Sequence, residues 1–450
     1  MDKKSAFLNS RLPHILMITN HGLHEWLVIP GLPDTGGQNV FVNQFSDTLA
    51  QKGYCITIIN RGGFPHPISA ELRAGIDYKV EFQRIMYIED DISEFVRKED
   101  MLERLLVLAE NLHSQLSSED KPVDMIISHY WDGAELGCLF NRQLPSPVSH
   151  FWVPHSLGTV KKRNVVPERW ADLRVEERID IEKDIVFCVN GIASTSATIK
   201  VALSEDYGYH IDPLFLPPCI DPDRYSPKEI ALSNPVWEFL STNSSLNQDQ
   251  VQERMIITEI SRTDTTKRKD VLIRAFAKAR QKFPQILLLL SIDQIQPQGK
   301  ELMALIGDLH LSEDVIVLGS VWDELPDIYR ASDIYCTPSI MEGFGMSAQE
   351  AAATQIPVIA SDKVPFATEH LLGKRKNTEI LDQGESGLQI GDGCIVVPAD
   401  DVDGFANALE ILLESEPLRK LMGKCAYDIT IPAFTWHMVV DEFLLDLNRI

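Results

Sequence analysis

Short apolar runs alternate with longer amphipathic stretches almost from the first residues of the chain. Residues 14–19 (His-Ile-Leu-Met-Ile-Thr) read as a buried strand, 39–52 as an amphipathic helix and 55–59 as a second strand. Further strands are expected at 125–128, 149–153 and 191–194. Apolar runs of this length, separated by helical patterns of roughly 10 to 20 residues, predict βα units built on a largely parallel sheet. The pattern breaks from 216 to 253, where Pro217, Pro218, Pro222, Pro227 and Pro235 precede the polar tract 241–250, as in a linker or domain edge. Alternation resumes at 255–258 and continues through 286–292, 315–319, 334–339, 357–361 and 395–398. A last helix over 436–449 follows the Ile431-Pro432 break and is free to pack on either half.

The expected fold is therefore α/β, with two Rossmann-like domains facing across a cleft. An N-terminal domain spans 1–216, with the helix at 434–450 as an optional addition to it, and a C-terminal domain spans 217–433. A chain of 450 residues is long enough for two such cores. Ligands of such sheets bind at the carboxyl ends of the strands.

Composition narrows the partners. Forty-four per cent of the residues are hydrophobic and 24% charged, which excludes disordered and fibrous classes. Lys and Arg number 42 against 66 Asp and Glu, a net charge of −24 without an acidic tail, so nucleic acid and anionic membranes are disfavoured as partners. A phosphorylated ligand must then be held by a local basic pocket. The N-terminus lacks an apolar leader and the run 286–290 is too short to span a bilayer, so a cytoplasmic protein without stable membrane insertion is expected. Seven scattered cysteines without a C-x-x-C pair read as buried thiols, not as a disulfide frame or a zinc site.

Candidate chemistry concentrates in two segments of the C-terminal half. After the strand ending at Ser339 come Glu342, Gly343, Phe344 and Gly345, with a helix starting near Met346, Ser347 in its first turn and Glu350 beyond. A helix start offers unpaired N–H groups and a positive dipole end to a diphosphate, and the two carboxylates can accept hydrogen bonds from sugar and ribose hydroxyls. The same residues also fit a solvated loop and a first-turn glutamate. After the strand at 256–261 come Arg262 and Lys267, placed to clamp a diphosphate from the opposite side, while Arg268 and Lys269 read as a solvated charge run.

Together these segments, R-x-x-x-x-K and E-x7-E with its Gly-Phe-Gly core, resemble the retaining nucleotide-sugar-dependent glycosyltransferases of the GT-B fold, fourth sequence family. Asp34-Thr35-Gly36-Gly37-Gln38, His129-Tyr130-Trp131-Asp132 and His155-Ser156-Leu157-Gly158 narrow the resemblance to the sucrose-phosphate synthase and sucrose synthase branch. The resemblance implies that a hexose moves from a nucleotide diphosphate sugar, UDP-glucose favoured, to a sugar or sugar phosphate such as fructose 6-phosphate. Related transfers, such as mannosylfructose-phosphate formation from GDP-mannose, and a non-catalytic nucleotide-sugar-binding regulator are the alternatives.

The resemblance also implies roles. His155 would touch the donor sugar and stabilise charge near the anomeric carbon, with Arg262, Lys267 and Glu342 as the other catalytic residues. Gly36, Gly37, Gly343, Phe344, Gly345, Met346, Ser347 and Glu350 would bind the donor. Gln38, Arg61, Tyr130, Asp132, Lys161, Lys162 and Arg178 would line the acceptor side, the basic ones among them holding a phosphate. Retention implies front-face attack, the leaving diphosphate taking the acceptor proton. No cofactor is required in this reading, Mg²⁺ having at most a stimulatory role, and no residues are assigned to a metal. Asp401 and Asp403, a D-x-D opening a helix, read as caps, and Glu89-Asp90-Asp91 as a solvated loop. Two departures from the branch touch the substrates: Ser194-Thr195-Ser196-Ala197-Thr198 replaces S-T-R-Q-E on the acceptor side, and Lys363-Val364-Pro365-Phe366 stands where Gly-Gly-Pro is usual on the donor side.

Overall fold

The computed structural model describes residues 2–29, 32–319, 321–373, 387–447 and 449. They form two compact units, Met1–Pro217 with Trp436–Ile450, and Pro218–Thr435. In the first unit the strands are β1 (His14–Ile18), β2 (Cys55–Arg61), β3 (Gly75–Val80), β4 (Gln83–Ile88), β5 (Met125–His129), β6 (Ser149–Val153), β7 (Gly191–Ser194) and β8 (Leu214–Phe215). They lie in the order β3-β4-β2-β1-β5-β6-β7-β8, every pair parallel except β3 with β4. The chain first moves outward from β1 through β2 to β4, then restarts at β5 on the other side of β1. The topological switch point therefore lies between β1 and β5. Helices cover both faces, which is why Ile15, Leu16, Met17 and Ile18 are all buried and the strand reads as a continuous apolar run. The last helix, Trp436–Leu447, packs on the helix Gly37–Gln51: Trp436 stacks on Phe45 at 5.7 Å and donates from Nε1 to Gln44 Oε1 at 2.9 Å.

The second unit holds β9 (Met255–Glu259), β10 (Ile286–Ser291), β11 (Val315–Leu318), β12 (Ile334–Thr337), β13 (Val358–Ser361), β14 (Gln389–Ile390) and β15 (Cys394–Val397). Their order among the described residues is β11-β10-β9-β12-β13-β15-β14, with only β14 antiparallel. Leaving the short edge strand aside, this is the doubly wound order 3-2-1-4-5-6, and its switch point lies between β9 and β12. Ile286 to Leu290 are fully buried, each worth roughly 1.5–3 kcal/mol in apolar surface removed from water.

Several expectations need correction. The tract 216–253 is no plain linker: it holds the helices Pro235–Thr242 and Gln248–Gln252, and Trp237 and Leu240 are buried in the unit's core. The hairpin β3–β4 is added at the sheet edge, its buried Arg84 held by Glu119 at 2.8 Å and lying over the Phe7 ring at 4.2 Å. Cys138 and Cys188 form a disulfide between the helices Tyr130–Asn141 and Val175–Cys188, their Cα atoms 6.3 Å apart. Fifty residues of sequence separate them, so no local spacing announced the pair. Asp90 is not solvated: its side chain is fully buried against Arg61. Lys269 is also buried, donating to Glu259 Oε2 at 2.6 Å and to the carbonyls of Ser261 and Ser291 at 3.0 and 2.8 Å. Arg268 pairs with Asp270 and Asp400. Both basic residues thus help to anchor the loop after β9, a role the charge run concealed.

Candidate active site

The two segments singled out in the C-terminal half follow β9 and β12, the strands that flank the second sheet's switch point. Asp264 caps the short turn Thr265–Lys267 by accepting from Thr266 N at 2.9 Å. Thr266 O in turn accepts from Ile340 N at 2.8 Å, tying this loop to the one after β12. The tie brings Lys267 Nζ to 2.5 Å from Glu342 Oε1, both largely buried. Arg262 is by contrast 81% exposed and 3.6 Å from Asp264, a guanidinium with its surface open to a ligand.

Gly345 is the residue that makes the second loop possible. It sits at φ +109°, and a Cβ there would lie 2.6 Å from Val364 Cγ1. The helix Met346–Ala353 begins directly after it, so the N–H groups of its first turn, at the positive end of the helix dipole, follow this loop without intrahelical partners. Met346 and Ser347 are half-buried there, and Gly343 is exposed. Phe344 is placed differently from the expectation that it binds the donor: its ring is buried against Phe366 and Phe434 at 5.4 and 5.9 Å, so it anchors the loop to the core. Val364 and Phe366, which replace the usual Gly-Gly-Pro, belong to the same cluster. Glu350 is half-buried and accepts from Tyr329 Oη at 3.1 Å. Burial pushes its carboxyl up to about 7, with the hydrogen bonds from Tyr329 and Tyr225 opposing the shift.

In the first unit the expected residues gather around the switch point between β1 and β5. Gly36 precedes the helix Gly37–Gln51, and Asn39 closes the turn by accepting from Gly36 N at 2.9 Å. Gln38 donates to Thr19 Oγ1 at 3.2 Å, just beyond β1. Tyr130, at φ +65°, opens the helix after β5 and directs Asp132 inward, where Asp132 Oδ1 meets His21 Nδ1 at 2.8 Å. His155 sits at φ +55° after β6 with its Nε2 2.9 Å from His129 Nδ1. Burial pushes the His155 imidazole down to about 3, His21 adding to the shift, and His129 is lowered for the same reason, so both rings are neutral near pH 7.

A basic pocket opens beside these residues, lined by Lys98, Glu99, Tyr130, Lys161, Arg174 and Arg178 among others. Arg178 is the fixed member: Nε bonds Glu182 at 2.7 Å, Nη2 bonds Ser156 O at 2.7 Å, and Nη1 bonds Tyr130 Oη. Burial opposes its charge, but the Glu182 carboxylate and Tyr130 more than compensate, and its pKa rises. Lys161 has the opposite balance. Burial, with Arg178 and Lys98 nearby, brings its ammonium down to about 8 despite Glu99.

Two expected members of the pocket lie elsewhere. Arg61 is withdrawn: its guanidinium is shared among Asp90 at 2.9 and 2.7 Å, Glu94 O at 2.8 Å and Ile92 O at 2.6 Å, four of its five donors, and only 2% of the side chain is exposed. Lys162 turns outward to Glu176 at 2.5 Å and lies over the Trp170 ring at 4.8 Å. Lys98, Arg174, His21 and Asn20 were not singled out in the sequence. Lys98 and Arg174 stand in mixed-charge stretches that read as solvated surface, and Asn20-His21 follow β1 without any motif of their own. Asp401 accepts from Gly404 N at 2.8 Å and Asp403 pairs with Lys278, so the D-x-D carboxylates cap and brace a helix. Among the described residues no helix is long and apolar enough to cross a membrane.

Comparison with known proteins fits this geometry. The family model for glycosyl transferases group 1 matches residues 244–428, the stretch that contains Arg262, Lys267, Glu342 and Glu350. Mannosylfructose-phosphate synthase of Agrobacterium fabrum is 30% identical over 368 residues, covering 78% of this chain and 76% of that protein. D-inositol 3-phosphate glycosyltransferase of Rhodococcus erythropolis is 29% identical over 433 residues, covering 93% and 87%. Among solved structures, sucrose-phosphate synthase from Thermosynechococcus elongatus aligns with a TM-score of 0.76 at 22% identity, over 97% of this chain and 98% of that one. Anabaena HepE in complex with UDP and glucose aligns at 0.69 and 15% identity, over 97% and 100%. These structural likenesses are those of the two-domain α/β GT-B fold. The chain belongs to the glycosyl transferases group 1.

Proposed function

We propose that the chain is a retaining hexosyltransferase that moves a hexose from a nucleotide diphosphate sugar, UDP-glucose favoured, to a sugar phosphate such as fructose 6-phosphate. The observation that supports this most is the pocket of Lys98, Lys161, Arg174 and Arg178 beside Tyr130 in a protein of net charge −24. Such a local concentration of cations suits a phosphate and has little use for a neutral acceptor. The names of several relatives, mannosylfructose-phosphate synthase and sucrose-phosphate synthase among them, point the same way.

In this reading Arg262, Lys267 and the N-terminus of the helix at Met346 stabilise the leaving diphosphate. Gly343 and Gly345 let its backbone pass close to the donor, and Glu342 and Glu350 accept from donor hydroxyls. Lys267 and Glu342 pair with each other and re-partner when donor arrives. Gly36 and Gly37 bind the donor, Gln38, Tyr130 and Asp132 line the acceptor side, and His155, neutral, faces the anomeric centre. The acceptor hydroxyl attacks on the face that the diphosphate leaves, its proton passing to the departing phosphate oxygen, so no protein nucleophile or metal is required. Electrostatic stabilisation of the leaving group supplies most of the rate.

A second reading differs only in the donor. Mannose transfer from a guanosine donor to fructose 6-phosphate is favoured by the 30% identity to the Agrobacterium enzyme. One experiment separates the two: purified protein offered UDP-glucose and GDP-mannose against fructose, fructose 6-phosphate and inositol 3-phosphate, products read by mass spectrometry. UDP-glucose with fructose 6-phosphate is the expected productive pair. Turnover only with GDP-mannose selects the second reading, and release of no nucleotide diphosphate from any pair contradicts both.

A further inference from the structure

Three of the carboxylates around the basic pocket hold their cations closely. Glu182 is 2.7 Å from Arg178 Nε, Glu177 is 2.7 Å from Arg174 Nε, and Asp34 contacts Lys98 Nζ directly. Glu99 is different. Its Oε1 stands 3.4 Å from Lys98 Nζ and 3.5 Å from Lys161 Nζ, bridging two ammonium groups at distances beyond those of good charged hydrogen bonds. It is nevertheless 92% covered, with 8% of its side chain exposed, so it contributes a charge in a place of reduced solvent screening.

The free space in the pocket is about 10 Å³, room for roughly one water molecule. A phosphate group needs several times that volume, so a phosphorylated acceptor enters only if a side chain leaves. Arg178 is locked by Glu182, Ser156 and Tyr130, and Lys98 is pinned from its other side by Asp34. Glu99 is the loosely held group, and its carboxylate lies between two cations that a phosphate oxygen would seek.

We propose that Glu99 is an internal stand-in for the acceptor's phosphate, facing Lys98 and Lys161 until the phosphorylated acceptor binds and then giving way. This rests on the reading of the pocket as a phosphate site. The residue then sets acceptor selectivity. Displacing Glu99 costs binding free energy that only an anion repays, because a neutral sugar at this point would leave the Lys161 ammonium without a counter-charge while Lys98 keeps Asp34.

The test is calorimetric binding of fructose 6-phosphate, inorganic phosphate and free fructose to wild type, Glu99→Gln, Glu99→Ala and Lys161→Ala, with circular dichroism as a check of folding. Both Glu99 variants are expected to bind fructose 6-phosphate and inorganic phosphate roughly five- to tenfold more tightly than wild type, the scale of one partly screened charge contact. Free fructose should bind no more tightly than before. Equal or weaker anion binding by both folded Glu99 variants overturns the stand-in role. If Lys161→Ala binds fructose 6-phosphate as well as wild type does, the phosphate pocket itself is wrong, and the stand-in falls with it.

Discussion

At the second sheet's switch point the groups available to a ligand are charged: Lys267 and Glu342 are paired at 2.5 Å, and Arg262, close to Lys267 in sequence, stands exposed. At the first sheet's switch point several buried polar atoms have no hydrogen-bond partner among the described residues: both side-chain atoms of Asn20, His129 Nε2 and Asp132 Oδ2. Each such atom costs roughly 1–3 kcal/mol when left dry. The same topology has thus been fitted for two kinds of ligand. One site presents cations and a helix N-terminus suited to a diphosphate that departs with charge. The other presents neutral imidazoles, an amide and a carboxylate suited to hydroxyl groups, with a separate cationic pocket for a charged appendage.

Damage to the two sites should therefore look different in kinetics. The largest effect is expected from Lys267→Ala and Arg262→Ala, each lowering kcat by roughly 10²-fold or more, because each removes charge stabilisation of the leaving group. Steady-state kinetics with saturating acceptor checks this, and wild-type rates would remove the pair from the donor site. Lys161→Ala is expected to act on the acceptor side, raising the KM for fructose 6-phosphate roughly tenfold or more with a smaller change in kcat. Equal effects of Lys161→Ala on fructose and fructose 6-phosphate would erase the contrast between the sites.

Acidity sharpens the comparison. The Lys161 ammonium, held down to about 8, is charged below that pH and neutral above it. Acceptor KM should therefore climb as pH rises through about 8, while donor KM stays flat over the same interval. Glu350 gives the smallest effect. Its folded carboxyl, raised from 4.5 to about 7, favours the protonated form, so its contribution to stability is present below pH 4.5 and lost as pH rises through about 7. Glu350→Gln should remove that slope and raise stability at pH 8 by about 1 kcal/mol after discounting for partial solvent access. Thermal denaturation of the ligand-free protein across pH 4 to 8 is the measurement, and an unchanged slope would place the shift elsewhere.

How much of this was legible beforehand depends on the kind of signal. Strands such as β6 and β7 are buried on both faces, and their apolar runs marked them to the residue. The edge hairpin β3–β4 escaped because Gly75–Val80 is largely exposed and β4 begins with Gln83 and Arg84. Motif residues on loops, Glu342 and Lys267 among them, could be found because their spacing repeats a pattern. Charges could not be sorted from composition. Asp90 and Lys269 read as solvated residues and Arg61 as a phosphate ligand, yet all three are buried in pairs, while Lys98 and Arg174, which no motif marks, line a pocket. A cation's role depends on whether folding supplies its counter-charge from a distant segment, and residues 61 and 90 or 98 and 34 are too far apart for any local pattern to record it.

The central claim is that the first unit's cationic pocket selects a phosphorylated acceptor. It is tested most directly by comparing kcat/KM for fructose 6-phosphate and free fructose under saturating UDP-glucose, with GDP-mannose in parallel. The account predicts that the phosphorylated sugar is preferred by roughly 10²-fold or more with whichever donor is used, as two or more charged hydrogen bonds to phosphate require. Equal use of the two sugars would contradict it.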